Sequence, residues 1–273
     1  MLVLEGVRPD ALCGRGCPNI QGMMREGSYT MSARTVFPSL CMPTQISMMF
    51  SMPPIEHLVT DDLVRPSTAL RSGFIDVLSR AGLKSGGFYS NEALRYLSRP
   101  GSLAFSYFRN GNFFDGDVDI DLVSNALKWA HAEKPAFLYL CLSGADATGH
   151  QFGWMSKEYC DQIEVIDRAV GLLMDNLPSE STILLTSNHG GHAFEHGTKL
   201  PEDISIPWII RGPGTRSAYQ ITRQVSCLDS IPTLAALMGV KAHPQWRGSV
   251  VTEVFEMRTT ETLRPAGVME ARH

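Results

Sequence analysis

Four short stretches of this sequence carry side chains with the chemistry to hold a metal ion or attack an electrophile. The richest is Ser187–Gly197, where His189, His192 and His196 stand close together among glycines, beside Asn188 and Glu195. Neutral imidazole is the commonest transition-metal ligand, and glycine lets backbone turn sharply toward an ion. A metal-binding loop is expected here; a polar surface loop with ordinary histidines is the alternative. A second stretch, Ser143–His150, offers the Asp146 carboxylate and the His150 imidazole on what reads as a short loop. Alone that spacing is nonspecific, but two such loops at the ends of neighbouring strands could converge on one ion. In the third, Leu4–Asp10, Glu5 is followed by Gly6 and suits a ligand, or else a turn with surface charges. In the fourth, Pro38–Thr44, Cys41 precedes a helical Gln45–Phe50. At a helix start the dipole and free N–H groups lower a thiol's pKa and hold an anion. A buried, inert cysteine is the plainer reading.

These stretches need elements to position them. Leu2–Leu4, Phe137–Leu142, Thr182–Thr186 and Ile206–Ile210 are short apolar runs of buried-strand type. Pro18–Glu26, Ser67–Ala81, Asp119–Glu133, Ser156–Leu177 and Cys227–Met238 read as helices. In the fourth of these, Ile163, Ile166, Val170, Leu173 and Leu177 recur at helical spacing and Ser156 can cap the start. Gly82 and Gly239 are placed to stop the helices before them. Strands alternating with helices predict an α/β fold, a mostly parallel central sheet with helices on both faces. Ligands gather at the carboxyl ends of such strands.

With 273 residues and 44% hydrophobic content, one sizeable core is expected, a single domain over 1–273. A net charge of -4 and no basic stripe argue against a nucleic-acid partner. No apolar run reaches membrane-spanning length. The opening Met1–Glu5 reads as strand rather than secretory signal, so a cytoplasmic location with free thiols is expected. Cys13 and Cys17, four apart, could share a helix face, but lack partner ligands for a zinc site.

Taken together, the four stretches resemble the type I phosphodiesterase/nucleotide pyrophosphatase branch of the alkaline phosphatase superfamily. That family opens on a strand and Asp-Gly-x-Arg-x-Asp, here Glu5-Gly-Val-Arg-Pro-Asp10. Its Pro-Ser-x-Thr-x-Pro nucleophile stretch is here Pro38-Ser-Leu-Cys41-Met-Pro43. Asp-x-x-Gly-His-x-x-Gly is matched by Asp146–Gly153, and Ser-Asp-His-Gly-Gly-His by Ser187–His192 except at Asn188. The resemblance implies an alkaline-phosphatase-like fold and a phosphate-ester hydrolase with a small-molecule substrate and two divalent metal ions, most naturally zinc. Asp146, His150 and His196 would hold one ion, and Glu5, Asn188 and His189 the other. Cys41 would stand at the attacking position, and Asp62 and His192 would contact substrate. Three departures concern one half of the site: Glu5 for Asp, Asn188 for Asp and Cys41 for Thr. Asp62 also replaces an Asn common in related sequences, putting negative charge near a phosphate. A sulfatase-like or phosphonate-type enzyme, or a weakly active metal-binding member, are the alternatives. Gln45 stands where Cys-x-Pro-x-Arg, the formylglycine signal, has its Arg.

Overall fold

The computed structural model describes residues 1–14, 16–63, 72–111 and 117–256. Its strands are β1 (Leu2–Leu4), β2 (Ser28–Arg34), β3 (Ser85–Tyr89), β4 (Phe105–Phe108), β5 (Phe137–Leu142), β6 (Ile183–Thr186), β7 (Ser205–Arg211) and β8 (Tyr219–Gln220). The helices are α1 (Pro18–Glu26), α2 (Cys41–Phe50), α3 (Pro54–His57), α4 (Phe74–Arg80), α5 (Asp117–Glu133), α6 (Gly144–Phe152), α7 (Lys157–Asn176), α8 (Pro201–Ile204) and α9 (Ser230–Leu237). The strands form one sheet in the order β4-β3-β5-β1-β6-β7-β2-β8. Only β7 runs against its neighbours, β6 and β2; every other pairing is parallel. The mostly parallel sheet expected from the sequence is therefore present.

Its two faces are buried by alternation along each strand. In β5, Phe137, Tyr139 and Cys141 enter one core, with Ile46 and Met49 of α2, Phe74 of α4 and Ile231 of α9. Leu140 and Leu142 enter the other, with Ile20 of α1, Leu122 of α5 and Ile163, Ile166 and Val170 of α7. Helices thus cover both faces, as a parallel sheet requires. The long helix α7 is capped as read, the Ser156 hydroxyl accepting from the Tyr159 N–H at 3.2 Å.

Several expectations need correcting. Ser143–His150 is not a loop but most of α6, and β1 lies between the two strands expected to be neighbours, β5 and β6. Two glycines and a threonine, poor helix formers, hide α6 in the sequence. Gly144 is required by packing: a Cβ there would lie 2.2 Å from the Gln162 amide and 2.4 Å from the Asp119 carboxylate. Cys41 is the first residue of α2, not a residue ahead of it. Cys13 closes a 3-10 turn and Cys17 precedes α1, so the two share no helix face. All six cysteines are free. The helix expected over 67–81 forms as Phe74–Arg80, its residues 67–71 lying outside the described ones. No helix among the described residues is long and apolar enough to cross a membrane.

Candidate metal centre and its neighbouring thiol

The strands β3, β5, β1 and β6 are adjacent and point the same way, so their carboxyl ends form one rim. Asn91 follows β3, Asp146 follows β5, Glu5 follows β1, and Asn188 and His189 follow β6. Residues far apart in sequence are thereby brought to one place.

Three polar anchors fix the rim. Ser187 Oγ lies 2.6 Å from the carbonyls of both Leu4 and His189, which share its one proton, and it accepts from the Val7 N–H, tying the β1 turn to the β6 turn. The Gly6 carbonyl accepts from Trp154 Nε1 at 2.8 Å and the Tyr159 hydroxyl at 3.0 Å. Gly6 itself has φ +72 and lies so near α6 that a Cβ would meet Asp146 Cα at 2.9 Å. No other residue fits both constraints.

Around Asp146 the imidazoles share one design. Nδ1 of His150 meets the Phe194 carbonyl at 2.9 Å, that of His189 the Gly190 carbonyl at 2.8 Å, and that of His196 the Ser39 carbonyl at 2.9 Å. A carbonyl only accepts, so each Nδ1 carries its proton and each Nε2 offers a lone pair. Those Nε2 atoms lie 3.7, 3.9 and 3.6 Å from Asp146 Oδ1. Two ligands about 2.0–2.1 Å from a tetrahedral zinc lie about 3.4 Å apart, close to this spacing. Asp146 Oδ1 and His189 Nε2 are buried without a hydrogen-bond partner. Donors of Asp146, His189 and His196 lie within 4.8 Å of one another, and among the described residues these three form a candidate metal site. Burial, with Glu5 and Asp62 nearby, pushes the Asp146 carboxyl well above the usual carboxylate range. Burial also lowers both His189 and His196 and keeps them neutral. A cation between them would relieve the first and use the second. The fit to a divalent ion is therefore good.

The half of the rim at Glu5 is arranged differently. The Cys41 thiol donates to Glu5 Oε1 in a short contact, and Asn188 Nδ2 donates to the same oxygen at 3.3 Å. Asn188 Oδ1 accepts from the N–H groups of Gly6 and His189, at 3.3 and 3.0 Å. Turning the amide over would set NH2 against two donors, so this orientation is the satisfied one. The carbonyl oxygen expected as a ligand is thus committed to backbone, and its amide nitrogen faces the carboxylate. Residues of this half bond to one another and, as arranged, do not fit a second ion.

The thiol departs from expectation too. A lowered pKa was expected at the helix start; instead burial, with the Glu5 charge and hydrogen bond, pushes Cys41 well above its ordinary value. Desolvation outweighs the helix dipole at a fully buried sulfur. Asp62 sits at the same helix end, its Oδ1 accepting from the Met42 N–H at 2.8 Å. His192 is not drawn into the imidazole group: its Nδ1 meets buried Asp203 at 2.8 Å and its Nε2 lies 3.5 Å from Glu195. Asn91, not singled out from sequence, donates from Nδ2 to Cys41 Sγ at 3.3 Å.

Comparison with known proteins identifies relatives of the chain and of its fold. Residues 1–206 match the family described as type I phosphodiesterase / nucleotide pyrophosphatase. Human ectonucleotide pyrophosphatase/phosphodiesterase family member 1 is 27% identical over 255 residues, covering 78% of this chain and 26% of that protein. The mouse family member 7 is 24% identical over 204 residues, covering 63% of this chain and 45% of that protein. The chain spans less than half the length of these curated relatives. An inactive form of murine ectonucleotide pyrophosphatase / phosphodiesterase 5 in complex with AMP superposes with TM-score 0.75 at 16% identity, over 94% of this chain and 99% of that one. The phosphonate monoester hydrolase of Agrobacterium radiobacter gives TM-score 0.74 at 13% identity, over 96% and 78%. Such identities show a shared fold, the alkaline-phosphatase-like one expected from sequence.

Proposed function

This chain belongs to the type I phosphodiesterase / nucleotide pyrophosphatase family, and on that premise we propose that it hydrolyses small-molecule phosphate esters, diesters before monoesters, at a metal centre around Asp146. One observation carries this reading: imidazoles anchored through Nδ1 aim their Nε2 lone pairs at a single buried carboxylate oxygen. Asp146 and His196, with His150 and His189 beside them, would hold a divalent ion, and a carboxylate–imidazole set suits zinc. Such an ion supplies charge stabilisation to a phosphoryl oxygen in an in-line displacement. A second ion at Glu5, Asn188 and His189 would bind more weakly, because it must first break the bonds that close that half.

The remaining chemistry belongs to the chain. Cys41 Sγ attacks phosphorus, forming a sulfur–phosphorus bond as the bond to the leaving oxygen breaks. Glu5, which already accepts the thiol hydrogen, takes the proton, and a water molecule protonates the leaving alkoxide to an alcohol, becoming hydroxide. That hydroxide then attacks phosphorus, the sulfur–phosphorus bond breaks, and Glu5 returns its proton to the sulfur as a phosphate monoester departs. Asp62, exposed at the first turn of α2, repels a phosphate dianion more than a singly charged diester.

Steady-state hydrolysis of bis-para-nitrophenyl phosphate and para-nitrophenyl phosphate tests this, using metal-free protein reloaded with zinc, manganese or magnesium. Turnover is expected only with metal, and faster for the diester. No turnover with any of the three overturns the hydrolase reading; a faster monoester overturns the preference.

A further inference from the structure

Asp62 leaves the thiol without an amide donor on the α2 side, yet one reaches it from the other side. Asn91, just past β3, points Nδ2 at Cys41 Sγ at 3.3 Å. Its Oδ1 accepts from the Ala93 N–H at 3.0 Å, which fixes the orientation, since the reversed amide would oppose two donors. A neutral thiol is a weak acceptor, so this N–H is held in place but poorly used. A phosphoryl oxygen beside the sulfur would be a far better partner, because hydrogen bonds to charged acceptors are shorter and stronger. Asn91 also lines a cleft of about 370 Å³ with Asn110 and Phe108, which reaches Glu5, Ser143 and Asp146 on the metal side.

We propose that Asn91 is the side-chain donor to the transferring phosphoryl group, supplying from β3 the contact that Asp62 cannot make. This rests on the hydrolase reading above. A donor aimed where charge develops lowers the barrier; a donor that only capped the turn would not.

Two variants separate these roles. Asn91→Ser keeps a hydroxyl oxygen to accept from the Ala93 N–H without adding charge, but carries no amide to reach past the sulfur. Asn91→Ala removes both. In the zinc-loaded chain, kcat/KM for bis-para-nitrophenyl phosphate should fall about 100- to 1,000-fold in either variant, the cost of one lost donor to a developing charge. Inorganic phosphate, titrated calorimetrically into the same proteins, should bind at least about 10-fold more weakly to both variants. A capping role alone would lower the unfolding temperature of Asn91→Ala and leave Asn91→Ser unaffected in melting, binding and rate. That pattern overturns the proposal while the hydrolase reading stands. If the unmutated chain turns over no diester, the hydrolase reading falls. The phosphate titration then decides alone: equal binding by all three proteins, or none by the unmutated chain, overturns the donor role.

Discussion

The two halves of the rim carry similar residue types but opposite hydrogen-bond economies. Around Asp146 the acceptors outnumber the donors: lone pairs converge on a carboxylate oxygen that nothing satisfies. Around Glu5, a thiol and an amide donate to the carboxylate, and the amide oxygen is saturated by backbone. Neighbouring clusters of buried polar groups can therefore differ in whether a cation is needed. The first is unstable in polar terms without one, and the second is complete.

The sharpest break in this contrast is Asp146→Ala. It removes the shared carboxylate, so metal content by elemental analysis should fall to background and diester hydrolysis at least about 1,000-fold, as expected when an essential electrostatic group is lost. Retained stoichiometric metal would show that the converging imidazoles are not the principal site.

Next is the effect of opening the closed half. Asn188→Asp replaces the amide with a carboxylate beside Glu5, and Cys41→Thr replaces a high-pKa thiol with a hydroxyl. Together they should raise hydrolysis roughly 10-fold or more and add a second bound ion, and their effects should not simply add because both groups contact Glu5. A double-mutant cycle with metal titration measures this. Two equally tight ions in the unmutated chain would contradict the contrast directly.

A third test lies behind the metal half. Asp119 on α5 is buried against α6, accepting from Gln162 at 3.1 Å, with its other oxygen unpartnered. Burial pushes its carboxyl up from 3.8 to about 7. The folded state thus holds a proton that the unfolded state releases near pH 4. Stability from this group is full at low pH and is lost as pH rises toward 7, on the order of 2–4 kcal/mol. Thermal unfolding between pH 5 and 8 should fall more steeply with pH in the unmutated chain than in Asp119→Asn. Parallel curves would show that the carboxyl is already ionised.

The smallest effect expected is none. Gln45, standing where the formylglycine signal has Arg, is fully buried, donating to Cys141 Sγ and accepting from the Tyr139 hydroxyl. An intact-mass spectrum should show Cys41 as an unmodified thiol; an aldehyde there would move the thiol half toward sulfatase chemistry.

The sequence by itself determined the ligand types and most long elements. Helical spacing gave α7 to within a residue at either end, and strand runs gave β1 and β5, because period 3.6 and buried apolar runs are local properties. It did not give β3, Ser85-Gly-Gly-Phe-Tyr89, whose two glycines weaken the strand pattern. Gly86 is there because a Cβ would strike the Trp129 ring at 2.4 Å, a contact between residues distant in sequence. Missing β3 hid Asn91. The resemblance grouped Asp146, His150 and His196 at one ion and Glu5, Asn188 and His189 at the other, whereas His189 lies with Asp146 and His196. Only the tertiary structure decided that Asn188 turns its nitrogen to Glu5, that His189 aims at Asp146, and that Cys41 is a high-pKa thiol. Those outcomes depend on distances between strand ends and on how much water is excluded, and neither is written in the spacing of residues along a chain.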